Sequence, residues 1–207
     1  MNNIHRVFIA INISENIKKY LCAVQDRYLE LPARWMRPES LHITLVFLGN
    51  TSDQEVIDAC KTVGEIATRH DPFDLKLDKI CYGPLPSAAP PGRDEGGRGK
   101  APRMVWALGE KSAELGALQT DLRNSFFETG QPDDSIESDE ERFFSPHVTL
   151  ARVKQTELYQ MEREEVPVID EKIGRTFMVE SIELMESESK KGGPVYTVLE
   201  SFKLGEQ

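Results

Sequence analysis

At 207 residues, with 39% hydrophobic and 29% charged residues, the chain has the size and balance of one sizeable folded domain or of two small lobes sharing a core. Its formal net charge of −10 excludes a protein that grips a long nucleic-acid backbone, where affinity comes from neutralising many phosphates; a few local cations can still recognise one terminal phosphate. Three cysteines, Cys22, Cys60 and Cys81, form no CxxC pair and leave an odd one in any disulfide scheme, which reads as reduced thiols in a cytoplasmic protein.

The apolar run Val7 to Ile13 is too short for a membrane span, has no small-residue cleavage site and passes directly into "SENIKK", so it reads as part of a strand, "RVFIAINI". Ser14 is a plausible N-cap, and Ile17, Leu21, Val24 and Tyr28 then recur at helical spacing. After a loop around "RWMRPES" comes a strand from Leu41 to Leu48, stopped by Gly49. "SDQE", Ser52 to Glu55, is a capping box, and it opens a helix expected to turn Val56, Ile57, Cys60 and Val63 inward. "PFDLKLDKI" alternates and is a strand.

The stretch 83–102 holds five of the 14 glycines and five of the 12 prolines, and it reads as a long flexible connection. The second half repeats the order of the first. "RMVWALG" is a strand; Leu115, Leu118, Leu122 and Phe126 make a helix stripe; an acidic loop from Gly130 to Glu141 leads to a strand carrying His147. A short helix around Leu158 and Met161 follows, and "TFMVESIELMES", the turn "KKGG" and "PVYTVLESFKL" read as a terminal hairpin. Each half gives strand, helix, strand with an H-x-T motif, helix and strand, so a duplicated lobe is inferred, with repeats at roughly 5–82 and 103–204 within one bilobal domain, 1–207. The expected class is α+β: a pseudo-twofold arrangement of two mostly antiparallel sheets facing a central cleft, with helices on the outer sides.

The motif that recurs is "HITL" at His42 and "HVTL" at His147. Side chains alternate across a strand, so His42 and Thr44 share one face, as do His147 and Thr149. Leu41, Ile43 and Leu45 lie on the other face, with Val148 and Leu150 in the second motif. If the lobes oppose each other, two imidazoles and two hydroxyls line one groove. That set suits phosphodiester cleavage. An imidazole titrates near pH ~6.5, so one ring can be neutral and take a proton from attacking water while the other, protonated, gives one to the departing oxygen. The hydroxyls, with a cation such as Arg152, can hold the non-bridging oxygens as charge develops on them.

Two such motifs among four histidines, at equivalent places in two halves, exceed what chance supplies; His5 and His70 lack that context. A metal site has less support, because no HExxH, CxxC or clustered Asp/His set occurs and a hydroxyl is a poor zinc ligand. No phosphate-binding loop or dinucleotide fingerprint is present, "GGRGK" having neither the spacing nor the context, so no cofactor is expected. Arg93, Arg98 and Lys100 form a basic loop tip.

At these residues the chain resembles the two-histidine phosphoesterase superfamily, and within it the RNA 2′,3′-cyclic phosphodiesterases once described as 2′-5′ RNA ligases. "RVFIAINI", "RWMRPESLHITLVFLGN", "RMVWALG", "RFFSPHVTLARV" and "ESIELMESESKKGGPVYTVLESFKL" are similar to that family in the same order, over nearly the full chain. The resemblance implies a metal-free opening of a terminal 2′,3′-cyclic phosphate to a 2′-phosphomonoester. It makes His42 the proton donor, His147 the proton acceptor, and Thr44, Thr149 and Arg152 the phosphate holders. Strict alternation, however, points Arg152 away from His147, so its role requires a local bulge. Phe8 and Trp35 are candidate walls for the base, and Arg34 and Arg37 candidate contacts to the substrate strand. RNA ends or small cyclic nucleotides are the expected partners of a monomer without membrane contact. Alternative substrates are 2′,5′-linked oligonucleotides or an ADP-ribose cyclic phosphate, and the alternative class is a non-catalytic binder of RNA termini.

Overall fold

Five successive residues of the first strand, β1 (Ile4–Asn12), are buried, and they divide between two environments. Val7, Ile9 and Ile11 enter the main core, whereas Phe8 and Ala10 join Met185 in a small cluster on the opposite face. A strand covered on both sides loses simple polar-apolar alternation, which is why "VFIAI" is apolar throughout. The computed structural model describes residues 3–84, 102–127, 144–191 and 193–206. The acidic loop, the basic tip and nearly all of the Gly/Pro-rich connection lie outside those residues.

The remaining elements follow in chain order: α1 (Glu15–Gln25), β2 (Ala33–Trp35), β3 (His42–Ser52), α2 (Asp53–Ala67), β4 (Phe73–Gly83), β5 (Met104–Gly109), α3 (Ala113–Phe126), β6 (His147–Val153), α4 (Gln155–Leu158), β7 (Asp170–Val179), β8 (Ser181–Lys190) and β9 (Gly193–Lys203). All strand pairings are antiparallel, in the order β7-β4-β5-β6-β3-β1-β8-β9, with β2 added on β6. The class is α+β, as expected. The two portions of the sheet join at a single register pair, Ile43 opposite Val148.

Strand neighbourhoods do not follow the halves of the sequence. β4, from the first half, pairs with β5 and β7, while β8 and β9, from the second, extend β1. The run "TFMVESIELMES" is therefore two strands parted at Glu180, the first laddered on β4 and the second on β1. Apolar periodicity marks both segments as strands but carries no information about which distant edge each will pair with. β8 and β9 form the expected hairpin.

Helices α2 and α3 pack on each other and on the main-core face of the sheet. The capping box forms as expected: Ser52 Oγ accepts from the Glu55 N–H while the Glu55 carboxylate accepts from the Ser52 N–H. The inner face of α2 is Ala59, Val63, Ile66 and Ala67, so of the expected stripe only Val63 is fully inside and Ile57 is 51% exposed. The helix is rotated to bring its small residues toward the sheet, a choice that depends on the partner surface.

Ile43 is fully buried at the one pair that joins the sheet portions. Ile43→Ala is expected to destabilise the fold by about 2–5 kcal/mol, read as a lower midpoint in urea. A loss below about 1 kcal/mol would show that the junction is not a packed part of the core.

Candidate active site

The junction between the sheet portions is also where the two H-x-T motifs meet. β3 and β6 run antiparallel through Ile43 and Val148, both fully buried. One step either side, the same register sets His42 opposite Thr149 and Thr44 opposite His147. Pleating turns these four side chains to the face away from Ile43 and Val148. The imidazoles thus lie on one diagonal of a four-residue patch and the hydroxyls on the other, about a local twofold axis. All four are half-buried. The rings share one electrostatic neighbourhood, since positive charge on His147 disfavours protonation of His42.

Each motif is followed by a bulge. Pairing between β3 and β1 steps from Thr44–Ala10 to Val46–Ile9 and skips Leu45; pairing between β6 and β5 steps from Thr149–Trp106 to Ala151–Val105 and skips Leu150. An inserted residue resets the alternation. Leu45 and Val46 are consequently both buried, as are Leu150 and Ala151, and the next residues, Phe47 and Arg152, turn to the face of the threonines and are exposed. The bulge that Arg152 requires is present. Phe47, 48% exposed with its ring 5.9 Å from that of Phe8, holds the position related to Arg152 by the local twofold. Sequence reading passed over Phe47, although aligning "HITLVF" with "HVTLAR" sets it opposite Arg152.

The two imidazoles have different surroundings. His42 lies against Phe8, with ring centroids 5.0 Å apart, and meets Tyr196 of β9 edge-on at 4.8 Å. Burial among these rings lowers its pKa to about 4; the Ser40 carbonyl pulls the other way more weakly, and the charges of His147 and Lys18 lower it further. His42 Nδ1 is buried without a hydrogen-bond partner among the described residues. His147 stacks on Trp106 at 4.0 Å and 27°. Its Nδ1 lies 2.8 Å from the Ser145 carbonyl, an acceptor only, so Nδ1 carries the proton and the lone pair of the neutral ring sits on Nε2.

Other groups fix the patch. The backbone N–H of Asn12, the residue paired with His42, donates to the buried Glu183 carboxylate at 2.9 Å. Glu183 also accepts from Ser181 Oγ at 2.6 Å and Ser201 Oγ at 3.2 Å. A buried carboxylate with three donors is a satisfied one, and it ties β1, β8 and β9 together beside His42. Phe8, at 2% exposure, lies beneath His42 and supports the ring rather than offering a face to a base. Trp35 packs on the main core, the side away from Arg34, and so does not line the patch. Trp106 and Tyr196, which hold the two imidazoles, were not singled out in the sequence because single aromatics in strands read as core. Cys22, Cys60 and Cys81 are unbridged, and burial raises the pKa of each thiol.

An antiparallel α+β sheet that carries two H-x-T strands to one face defines a phosphoesterase of the two-histidine class. The family model described as LigT like phosphoesterase matches residues 7–90. An RNA 2′,3′-cyclic phosphodiesterase of Thermus thermophilus is 31% identical over 202 residues, 96% of this chain and 90% of its own length; one of Aquifex aeolicus is 27% identical over 97% of both chains. A solved structure from Thermus thermophilus superposes with a TM-score of 0.76 at 30% identity, covering 97% of this chain and 98% of that one. Escherichia coli LigT, solved in complex with 3′-AMP, shares the fold with a TM-score of 0.69 at 21% identity over 99% of this chain and 100% of its own. The chain belongs to the LigT-like phosphoesterase family, among the RNA 2′,3′-cyclic phosphodiesterases. Among the described residues, no helix is long and apolar enough to cross a membrane.

Proposed function

We propose that the protein hydrolyses the 2′,3′-cyclic phosphate at RNA ends, or on small cyclic nucleotides, to a 2′-phosphomonoester without a metal ion. The observation that carries this reading is the antiparallel meeting of the two motifs at Ile43 and Val148, which puts two imidazoles and two hydroxyls on one face. The names of the Thermus and Aquifex relatives support the substrate class.

Water attacks phosphorus, its oxygen forming the new P–O bond as Nε2 of His147 takes its proton. The P–O3′ bond breaks, and His42 protonates the departing O3′. Nδ1–H of His147, held on the Ser145 carbonyl, stays in place while the ring becomes imidazolium. Thr44, Thr149 and Arg152 hold the non-bridging oxygens, where negative charge accumulates in the transition state. Exchange with solvent then returns a proton to His42 and removes one from His147.

His42 is neutral near pH 7 in the absence of substrate, because its site penalises the charged ring. A cyclic phosphodiester brings a negative charge beside it and thus favours the imidazolium needed for the second half of the reaction. Substrate and proton enter together. The motif side chains and Arg152 all come from one chain, which supports a protein that works as a monomer.

The test is incubation with adenosine 2′,3′-cyclic phosphate, with and without EDTA, followed by separation of the two phosphomonoesters. The expected result is adenosine 2′-phosphate alone at the same rate in both. Formation of the 3′-isomer, loss of turnover with chelator, or tight binding without product overturns the proposal. Faster turnover of a 2′,5′-linked dinucleotide or an ADP-ribose cyclic phosphate would reassign the substrate.

A further inference from the structure

β2 is a three-residue strand with one partner, β6, and its middle residue, Arg34, is directly opposite Arg152. Directly opposed residues of an antiparallel pair project from the same face. Arg34 therefore stands beside Arg152 on the side of His147 and Thr149. Both residues are exposed, and no carboxylate pairs with either among the described residues. Like charges directly across a ladder repel, an arrangement stabilised when an anion lies between them. In a chain with 35 acidic and 25 basic residues, two adjacent cations left without carboxylates stand out.

A second observation fixes where Arg34 points. Gly193, at the start of β9, has φ +115°, and a Cβ built on it would lie 2.7 Å from both Cζ and Nη1 of Arg34. The guanidinium thus rests on the backbone of β9 at Gly193, whose φ favours glycine. Three residues further along that strand, Tyr196 touches His42. At the rise of an extended strand, Arg34 lies roughly 10 Å along β9 from the His42 contact.

We propose that Arg34, with Arg152 beside it, forms a subsite for a second phosphate, the phosphodiester on the 5′ side of the terminal nucleotide. The inference rests on the proposed cyclic phosphodiesterase reading and deepens it: the enzyme distinguishes an RNA end from a free cyclic nucleoside. Arg152 lies next to the terminal phosphate, and Arg34 one step outward, where the preceding phosphate of the strand arrives. A planar fork of donors suits a phosphodiester better than an ammonium does.

The test compares adenosine 2′,3′-cyclic phosphate with a dinucleotide ending in the same cyclic phosphate, on wild type, Arg34→Ala and Arg34→Lys. Wild type is expected to favour the dinucleotide in kcat/KM, and Arg34→Ala to lower the dinucleotide-to-nucleoside ratio by about tenfold, with Arg34→Lys in between. Calorimetry with adenosine 2′-phosphate and its 5′-phosphorylated counterpart reads the subsite without turnover: the 5′-phosphate strengthens binding to wild type and not to Arg34→Ala. An equal loss on both substrates would put Arg34 on the terminal phosphate and overturn the proposal; so would an unchanged ratio, or a 5′-phosphate that binds equally well to the variant. Failure of all chemistry with the calorimetric difference intact would sink the hydrolase reading and leave the subsite standing.

Discussion

Alanine in place of either His42 or His147 is expected to cut turnover of a 2′,3′-cyclic nucleotide by at least about a hundredfold, and by up to about ten-thousandfold if proton transfer limits the rate. In the proposed mechanism each ring serves a different bond, one made and one broken, and neither can substitute for the other because they sit on opposite corners of the patch. The double variant should be little worse than the worse single one, since the two groups act on one transition state. Both variants should keep the circular dichroism and cooperative unfolding of wild type. The rings are half-buried and the strands beneath them are held by Ile43, Val148 and Leu150, all fully buried. A folded variant that retains more than about a tenth of wild-type activity at saturating substrate rules out the paired acid and base.

The pH response of His42 is the second large effect. Its ring titrates at about 4 in the folded chain against 6.5 for an unperturbed imidazole, with burial the leading cause. Above pH 6.5 the ring is neutral in both folded and unfolded chains and contributes no pH dependence. Between 6.5 and about 4 the unfolded chain gains a proton that the folded one refuses. Stability therefore falls through that window, by on the order of 3 kcal/mol from this residue alone. His42→Gln should flatten this part of the curve, measured as the urea midpoint at a series of pH values.

Ligand binding should act in the opposite direction. Adenosine 2′-phosphate places negative charge against the ring, so the His42 resonance should titrate at higher pH in the complex, and binding near pH ~6 should take up protons from buffer. The limb of the rate profile that belongs to His42 should accordingly lie higher in kcat, which reports the bound enzyme, than in kcat/KM, which reports the free one. A His42 that titrates near ~6.5 without ligand, or that phosphate leaves unmoved, contradicts the coupling of substrate and proton.

The two motifs were legible because they are written in short-range pattern. Two H-x-T strands, each with its apolar face on Ile43 and Leu45 or on Val148 and Leu150, can be read from alternation, and the capping box at Ser52 and the β8–β9 hairpin from residue types at short spacing. Arg152 shows the limit of that reading. Strict alternation turns it away from His147, and only the bulge at Leu150, set by how β6 pairs with β5, turns it back. Phe47 is hidden in the same way by the bulge at Leu45. Trp35, a candidate wall for the base, packs on the main core because β2 pairs with β6, a pairing that no local pattern announces.

By itself, then, the sequence determined the two H-x-T motifs, the class of fold and the core-facing side of most strands, because those depend on residue type and on a repeat of about two or 3.6 positions. Tertiary structure alone decided that β3 meets β6 at one pair, that β7 and β8 part to opposite ends of the sheet, and that Arg34 comes to rest on Gly193. These depend on which distant backbone edges satisfy one another's hydrogen bonds and on where an inserted residue shifts the register, and no local periodicity encodes either.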